Sequence, residues 1–260
     1  MQKYKIGFIG YGNMAKAISK SLAKCDFVEN LYASDVNEGA KDDNVTFLQD
    51  NGSVIESCSH VFLSVKPQMA NEALRGLDFE DKVVISIMAG KDLDSLTELC
   101  RGAKKIVRVM PNLCARVGKS VNAYCAIGLD DNELAVAQKI LSSFGLAMRL
   151  SESFFDVITG LTGSSPAYTF KYAKAITECG VRYGLDFEKS RDLALYSISA
   201  CMDVLKNAQS LEEMQTTIEN VCSKGGTTIE GIYKLNEGNF DELVISAIGA
   251  AIQKSAELAK

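Results

Sequence analysis

Gly10-Tyr11-Gly12-Asn13-Met14-Ala15 carries the spacing G-x-G-x-x-A. Gly10 permits a tight turn, Gly12 lets the backbone approach a pyrophosphate, and Ala15 lets a helix pack closely on the preceding strand. The N-terminus of that helix supplies amide donors and a field that favours an anion. The context agrees: the apolar run Ile6–Ile9 precedes the turn, and helical spacing at Met14, Ala17, Ile18 and Leu22 follows it. Asp35 stands 20 positions beyond Ala15, at the end of a second apolar run. A carboxylate there binds the ribose hydroxyls of NAD and repels the 2′-phosphate of NADP. No basic residue lies between Ser34 and Ala40, and only Lys41 follows, so the residues favour NADH. The alternative reading of Asp35 is a loop cap.

Three more segments sit where strands should end: Ser64-Val65-Lys66-Pro67, Met88-Ala89-Gly90 and Met110-Pro111-Asn112. Ligands of open α/β sheets bind outside the carboxyl ends of the strands. Each segment alone fits an ordinary turn; together they outline a cleft for the nicotinamide half of a dinucleotide. Far along the chain, Ser223-Lys224-Gly225-Gly226-Thr227-Thr228 immediately precedes a helical pattern. Glycines there let backbone N–H groups face a ligand, and the helix dipole favours a carboxylate. On the residues alone, an ordinary Ser/Thr N-cap explains this segment equally well.

Other chemistry is excluded by count. The chain has 260 residues, a single histidine, His60, and no tryptophan. No Cys-x-x-Cys pair occurs and no Cys-His pair has zinc-ligand spacing, so no metal site is expected. His60 opens an apolar run and reads as a partly exposed strand-entry residue. Tyr168 and Tyr172 share a helix face and read as core or interface. The net charge of −5 argues against nucleic acid as a partner. The densest basic cluster, Lys104, Lys105 and Arg108, reads as a solvated loop and strand edge. Apolar runs fall short of the roughly 18–20 residues of a membrane span. The segment MQKYKIGFIG enters a strand with no secretory leader, and the eight cysteines read as free thiols in a reducing cytoplasm.

Elements must position these groups. Short apolar runs at 6–9, 30–34, 60–65, 82–87 and 105–109 alternate with helical patterns at 53–58, 68–76 and 92–100. That alternation predicts a parallel sheet covered on both faces. A run at 121–128 and a helix over 131–144 complete a first domain, residues 1–151. Residues 152–260 read as helices alone: 164–183, 186–208, 211–222 opened by a Ser210/Glu213 capping box, 227–236 stopped by Gly238, and a last one capped by Asn239 with Glu242. The fold class is α/β, a Rossmann-type doubly wound sheet followed by an all-helical domain. Leu193–Val204 and Leu243–Ile252 are apolar on more than one side, so both must be buried. Five helices and one neighbouring domain do not offer enough cover, which predicts a homodimer sharing its helical core.

Val221-Cys-Ser-Lys-Gly-Gly-Thr-Thr-Ile-Glu-Gly231 resembles the C-terminal signature of the Δ1-pyrroline-5-carboxylate reductases. Gly163-Ser-Ser-Pro-Ala-Tyr168 is similar to their domain junction, and GYGNMA, SVKP, MAG and RVMPN follow the family's order. Two positions depart from it: Leu113-Cys114 replaces Thr-Pro after MPN, and Lys224 replaces a proline. The resemblance implies hydride transfer from NAD(P)H to the C=N of a cyclic imine bearing a carboxylate, giving L-proline. It implies that Ser223, Gly225, Gly226 and Thr227 hold the carboxylate and that Thr228 hydrogen-bonds the imine nitrogen. Asn220 and Asn51 match positions that reach the cofactor, and Glu152 matches a substrate-side acid. The resemblance also admits a larger ring of dimers. The rival readings are a related reductase of another cyclic imine or β-hydroxyacid, and a catalytically silent nucleotide-binding regulator.

Overall fold

The computed structural model describes residues 2–37 and 41–258. Residues 38–40, within the stretch that follows Asp35, lie outside the described residues. The apolar runs form strands: β1 (Tyr4–Ile9), β2 (Val28–Ser34), β3 (Thr46–Phe47), β4 (His60–Leu63), β5 (Val83–Ser86), β6 (Lys105–Met110), β7 (Ser120–Ile127) and β8 (Gly145–Arg149). They build one sheet in the order β3-β2-β1-β4-β5-β6-β7-β8. β4 and β5 are buried at every position, as strands covered on both faces must be. Helices α1 (Asn13–Leu22), α2 (Asn51–Ser57), α3 (Ala70–Ala73), α4 (Leu93–Leu99) and α5 (Asp131–Ser142) join the strands. Three start on aspartates that accept an orphan N–H: Asp50 from Ser53 at 2.7 Å, Asp92 from Ser95 at 2.8 Å and Asp130 from Glu133 at 2.9 Å. Glu133 reaches back to the Asp130 N–H, closing a capping box.

The sheet departs from the expected parallel pattern at one place. β6 and β7 pair antiparallel, Arg108 opposite Cys125 and Met110 opposite Ala123. Only a 3₁₀ turn, Leu113–Val117, joins them, and a parallel crossover needs roughly a dozen residues or more. β3 and β8 have no counterpart among the predicted strands. Side chains of alternating residues build two cores, one per sheet face. Ile6, Phe8, Phe62 and Val107 pack with α1 and α5; Ile9, Val61, Leu63 and Val84 pack with α2 and α4.

His60 is a correction. It is not partly exposed: it is 5% exposed, its Nδ1 lies 2.9 Å from the Ser59 hydroxyl, and its ring meets Tyr4 edge-on. Burial pushes its pKa down to about 4. Arg108 corrects the solvated reading of the basic cluster. Its side chain is 12% exposed and ion-paired to Glu152, while Lys104 pairs with Glu80 and Lys105 with Glu133.

Contacts divide the chain into two compact units, one running to Ser164 and resuming at Ala251, the other spanning Ser165–Ala250. In the first, β8 leads through the 3₁₀ turn Glu152–Phe154 into α6 (Phe155–Ile158) and a π-helical turn, Thr159–Ser164. The last part of α11 (Phe240–Leu258) belongs to it as well: Ser255 Oγ donates to Asp156 at 2.7 Å. The second unit holds α7 (Ser165–Arg182), α8 (Phe187–Leu205), α9 (Leu211–Val221), α10 (Thr227–Glu237) and the start of α11. Ser210 caps α9, but Glu213 turns to the Gln209 N–H rather than closing the expected box. Gly238 ends α10 as expected. α11 begins at Phe240, after Asn239 with φ of 49°. α7 and α8 pack where Gly180 lets Ser190 approach, and Ser190 Oγ donates to the Thr177 carbonyl at 2.7 Å. Elsewhere this unit leaves its apolar residues in water: Tyr183 is 88%, Leu211 85% and Tyr196 79% exposed, and α9, α10 and α11 bury no residue.

Candidate active site

Gly10 has φ of 83° and donates its N–H to the Ser34 carbonyl at 2.9 Å. A Cβ there would stand 3.0 Å from the Val65 nitrogen, so the turn is both left-handed and tightly lodged. Gly12 is the N-cap of α1 with extended backbone and no side-chain cap. A Cβ at Gly12 would meet nothing within 4 Å. The first amides of α1 therefore open onto unobstructed space, a cradle that fits a pyrophosphate. Ala15, fully buried, seats α1 on β1; Asn13 and Met14 form its first turn.

Asp35 caps the loop. Its Oδ2 accepts the Tyr11 N–H at 2.6 Å and its Oδ1 the Asn37 N–H at 2.8 Å. A carboxylate offers about four lone-pair positions, so ribose hydroxyls can add to these bonds rather than replace them. Tyr11, read above only as a spacer in the motif, organises this corner. Its buried phenol lies 2.6 Å from Ser19 Oγ and donates to Asp42 at 3.0 Å, and burial raises its pKa. An aromatic between two motif glycines was the available signal. Asn51 spends both ends of its amide on protein: Oδ1 accepts from Ser34 Oγ at 2.5 Å and Nδ2 donates to the Ala73 carbonyl at 2.8 Å. It props β2 against α3.

The strand-end segments lie at carboxyl ends as expected. Ser64 Oγ donates to the Gly10 carbonyl at 3.0 Å, tying the end of β4 to the glycine turn. Val65 lies against Gly10, and Lys66 caps the 3₁₀ turn that Pro67 opens. Met88 is buried after β5, and Ala89 leads to Gly90 with φ of 69°. A Cβ at Gly90 would stand 3.3 Å from the Leu258 carbonyl. After β6, Pro111 precedes Asn112, whose Nδ2 donates to the Thr162 carbonyl at 3.0 Å and whose Oδ1 accepts the Cys114 N–H at 3.1 Å. Asn112 thus pins the π-helical turn to the end of β6. Glu152 accepts from Arg108 at 2.7 Å and from the Leu93 N–H at 2.8 Å, both on Oε1. The pairing with Arg108 spans 44 positions and left no signal in the sequence.

In the helical unit, Ser223 to Gly226 make a tight turn: the Gly226 N–H donates to the Ser223 carbonyl at 2.9 Å, and Gly225 has φ of 72°. A Cβ on Gly226 would meet Ser223 Oγ and stand 3.1 Å from the Ser223 carbonyl, so a larger residue there would have to displace the Ser223 side chain. Gly226 is the N-cap of α10 with no side-chain cap. Thr227 and Thr228 form its first turn, and both are exposed, as are Ser223, Lys224 and Asn220 near the end of α9. The alternative reading, an N-cap by a Ser or Thr side chain, is not what holds this end. The amides of α10 stay available for an anion.

Among the described residues no cluster of His, Cys, Asp and Glu could hold a metal ion. Burial pushes the thiols of Cys58 and Cys100 up to about 12 and that of Cys125 up to about 11, so these three stay protonated at neutral pH.

A strand, a glycine turn and an open helix N-terminus at the carboxyl ends of a largely parallel sheet define a Rossmann-type, dinucleotide-binding fold. Residues 5–90 match the family model "NADP oxidoreductase coenzyme F420-dependent", and residues 152–258 match "Pyrroline-5-carboxylate reductase dimerisation". The pyrroline-5-carboxylate reductase of Aquifex aeolicus is 33% identical over 98% of this chain and 97% of that protein. The crystal structure of Plasmodium falciparum pyrroline carboxylate reductase with NADP bound aligns at a TM-score of 0.91, 27% identity and 100% of both chains. That of the Streptococcus pyogenes enzyme aligns at 0.87 and 29%, covering 97% of this chain and 98% of that one. The chain belongs to the pyrroline-5-carboxylate reductase family. It is an NAD(P)H-dependent oxidoreductase with a homodimerising helical region, which accounts for the apolar surface that α7–α11 leave exposed.

Proposed function

We propose that this chain reduces 1-pyrroline-5-carboxylate to L-proline, the last step of proline biosynthesis. The observation that carries this reading is similarity along the whole chain, through both motif-bearing halves, to reductases of that substrate. The bound dinucleotide supplies the hydride that turns the C=N carbon into C–H, and the proton on nitrogen is the one the iminium form of the substrate already carries. The chain's own residues bind and orient. On the nucleotide side, Gly10, Gly12, Asn13, Met14 and Ala15 cradle the pyrophosphate, and Asp35 takes the ribose. Ser64, Val65, Lys66, Pro67, Met88, Ala89, Gly90, Pro111 and Asn112 shape the seat of the nicotinamide half. Asn51 supports the adenosine side by fixing β2, and Asn220 adds a polar contact to the cofactor.

On the substrate side, the turn Ser223, Gly225, Gly226 and Thr227 at α10 holds the carboxylate, with Lys224 adding attraction. The Thr228 hydroxyl hydrogen-bonds the imine nitrogen. An iminium is already electrophilic, so positioning supplies much of the rate and a strong general acid is dispensable. The Arg108 pairing of Glu152 supports a bracing role for that acid beside the substrate-side one. Residues 1–151 serve as the nucleotide module and 152–260 as the substrate-binding and dimerisation module. The eight free thiols favour a reducing cytoplasm. The family resemblance favours a ring of dimers above the dimer.

The carboxylate of Asp35, bridging two backbone N–H groups at the ribose corner, favours NADH over NADPH. Oxidation of each dinucleotide by pyrroline-5-carboxylate, followed by dihydronicotinamide absorbance, tests both statements. Absence of turnover with either cofactor would sink the reaction. A wild-type preference for NADPH would overturn the Asp35 reading alone, and Asp35→Ala should erode the preference for NADH.

A further inference from the structure

The two faces of the sheet are not covered to the same extent. On one face, α5 extends the cover to the edge. Asn122 of β7 donates to the Leu141 carbonyl of α5 at 2.8 Å, and its β8 neighbour Ala147 packs into the same core. The opposite face carries Arg108 and Met110 of β6, then their β7 partners Cys125 and Ala123. There the cover comes from α6 and the π-helical turn. The Arg108 guanidinium lies 4.4 Å from the centre of the Phe155 ring, and a Cβ at Gly163 would stand 3.1 Å from Met110 Cε. One strand further out, the side chains on this face are Leu146, beside Val121, and Met148, beside Ala123. They are 58% and 44% exposed. The cover itself presents apolar residues outward: Phe154, Val157 and Leu161 are 53%, 40% and 50% exposed.

β8 is also the last strand of the sheet. An exposed edge with an apolar face is an aggregation hazard that natural sheets cover, charge or shorten. β8 is short, but on this face it carries leucine and methionine with no charge between them, so the face itself still calls for cover. Phe154, Val157 and Leu161 already lie inside the region matched as dimerising, residues 152–258, and only Leu150 and Ser151 separate that region from β8. The second copy brings an excess of unburied apolar helix surface, as α9, α10 and α11 bury none of their residues. We propose that the helical region of a second copy of this chain packs on the face of β8 bearing Leu146 and Met148, extending the dimer interface onto the nucleotide-binding sheet. The partner then completes the sheet's cover as well as the helical core. The inference rests on the homodimer and not on the reaction catalysed.

A photo-crosslinking residue at position 146 of the full chain tests it, with isotopically heavy and light copies mixed before illumination. The expected product joins position 146 of one copy to a peptide from 165–250 of the other, identified by its mixed isotope pattern. Adducts confined to one copy, or joining β8 to β8 through open strand edges, would overturn it, as would a wild-type chain that sediments as a monomer. Leu146→Asp combined with Met148→Asp should raise the dimer dissociation constant about tenfold or more. Circular dichroism at high concentration checks that the variant folds. A folded variant with an unchanged dissociation constant would also count against the proposal.

Discussion

Thr228 and His60 show two opposite ways a polar residue can be placed. Thr228 stands exposed in the first turn of α10, whose N-cap Gly226 has no side-chain cap. In the proposed reaction its hydroxyl fixes the position of the charged substrate nitrogen while the hydride reaches the neighbouring carbon. Thr228→Ala should lower kcat by about 10- to 100-fold, the worth of one hydrogen bond to a charged group, while cofactor affinity stays nearly intact. Steady-state kinetics with a separate dinucleotide titration checks this. His60 is buried with its pKa down to about 4. The unfolded chain takes up a proton near pH 6.5 and the folded one does not until about pH 4, so between those values the unfolded state binds more protons. Stability contributed by the neutral ring is therefore present above pH 6.5 and falls on acidification, by up to about 1.4 kcal/mol per pH unit. Urea unfolding across this window should show a shallower pH dependence for His60→Gln than for the wild type.

At the scale of elements, the sequence reveals most where one periodicity dominates. β4, β5 and the Ile6–Ile9 part of β1 are near-continuous apolar runs, whereas the side-chain caps Asp50, Asp92 and Asp130, not among the predicted caps, emerge only with the structure. β8 escapes because Gly145-Leu-Ala-Met-Arg149 is short, begins with glycine and keeps two apolar side chains outside. β3 is two residues long, too short for any pattern. The direction of β7 is set by the length of the turn before it rather than by its own composition. The site follows the same rule. Motifs contiguous in sequence, such as the glycine turn and the Ser223–Thr228 turn, were legible. Ties between distant residues, such as Arg108 to Glu152 and Asn112 to Thr162, depend on the finished fold. The α7–α8 contact gives a prediction of this scale. Gly180→Ala places a methyl group against Ser190 Oγ and should destabilise the helical unit by about 1–3 kcal/mol, the usual cost of overpacking. A lower urea midpoint with an unchanged slope would be the signature.

The whole molecule is a dimer because the helical region cannot bury itself. Its exposed residues include large aromatics, and within the unit Ser165–Ala250 the buried residues are Ala173, Thr177, Ser190 and Ala194. Folding and association are then one equilibrium, and stability depends on concentration. The melting temperature should rise with protein concentration in calorimetry across a wide dilution series. A concentration-independent melting temperature would contradict this coupling.

The end of α11 folds back onto the first unit, with Ser255 bonded to Asp156 and the Leu258 carbonyl lying behind Gly90. During synthesis the ribosome releases the nucleotide-binding segment long before it releases that helix. A nascent chain that has folded its sheet still lacks the Leu258 carbonyl beside Gly90. Making that contact requires bringing together residues separated by most of the polypeptide, a slow, non-local step. The contact between the end of α11 and the Gly90 turn is therefore acquired last, after translation has passed α11.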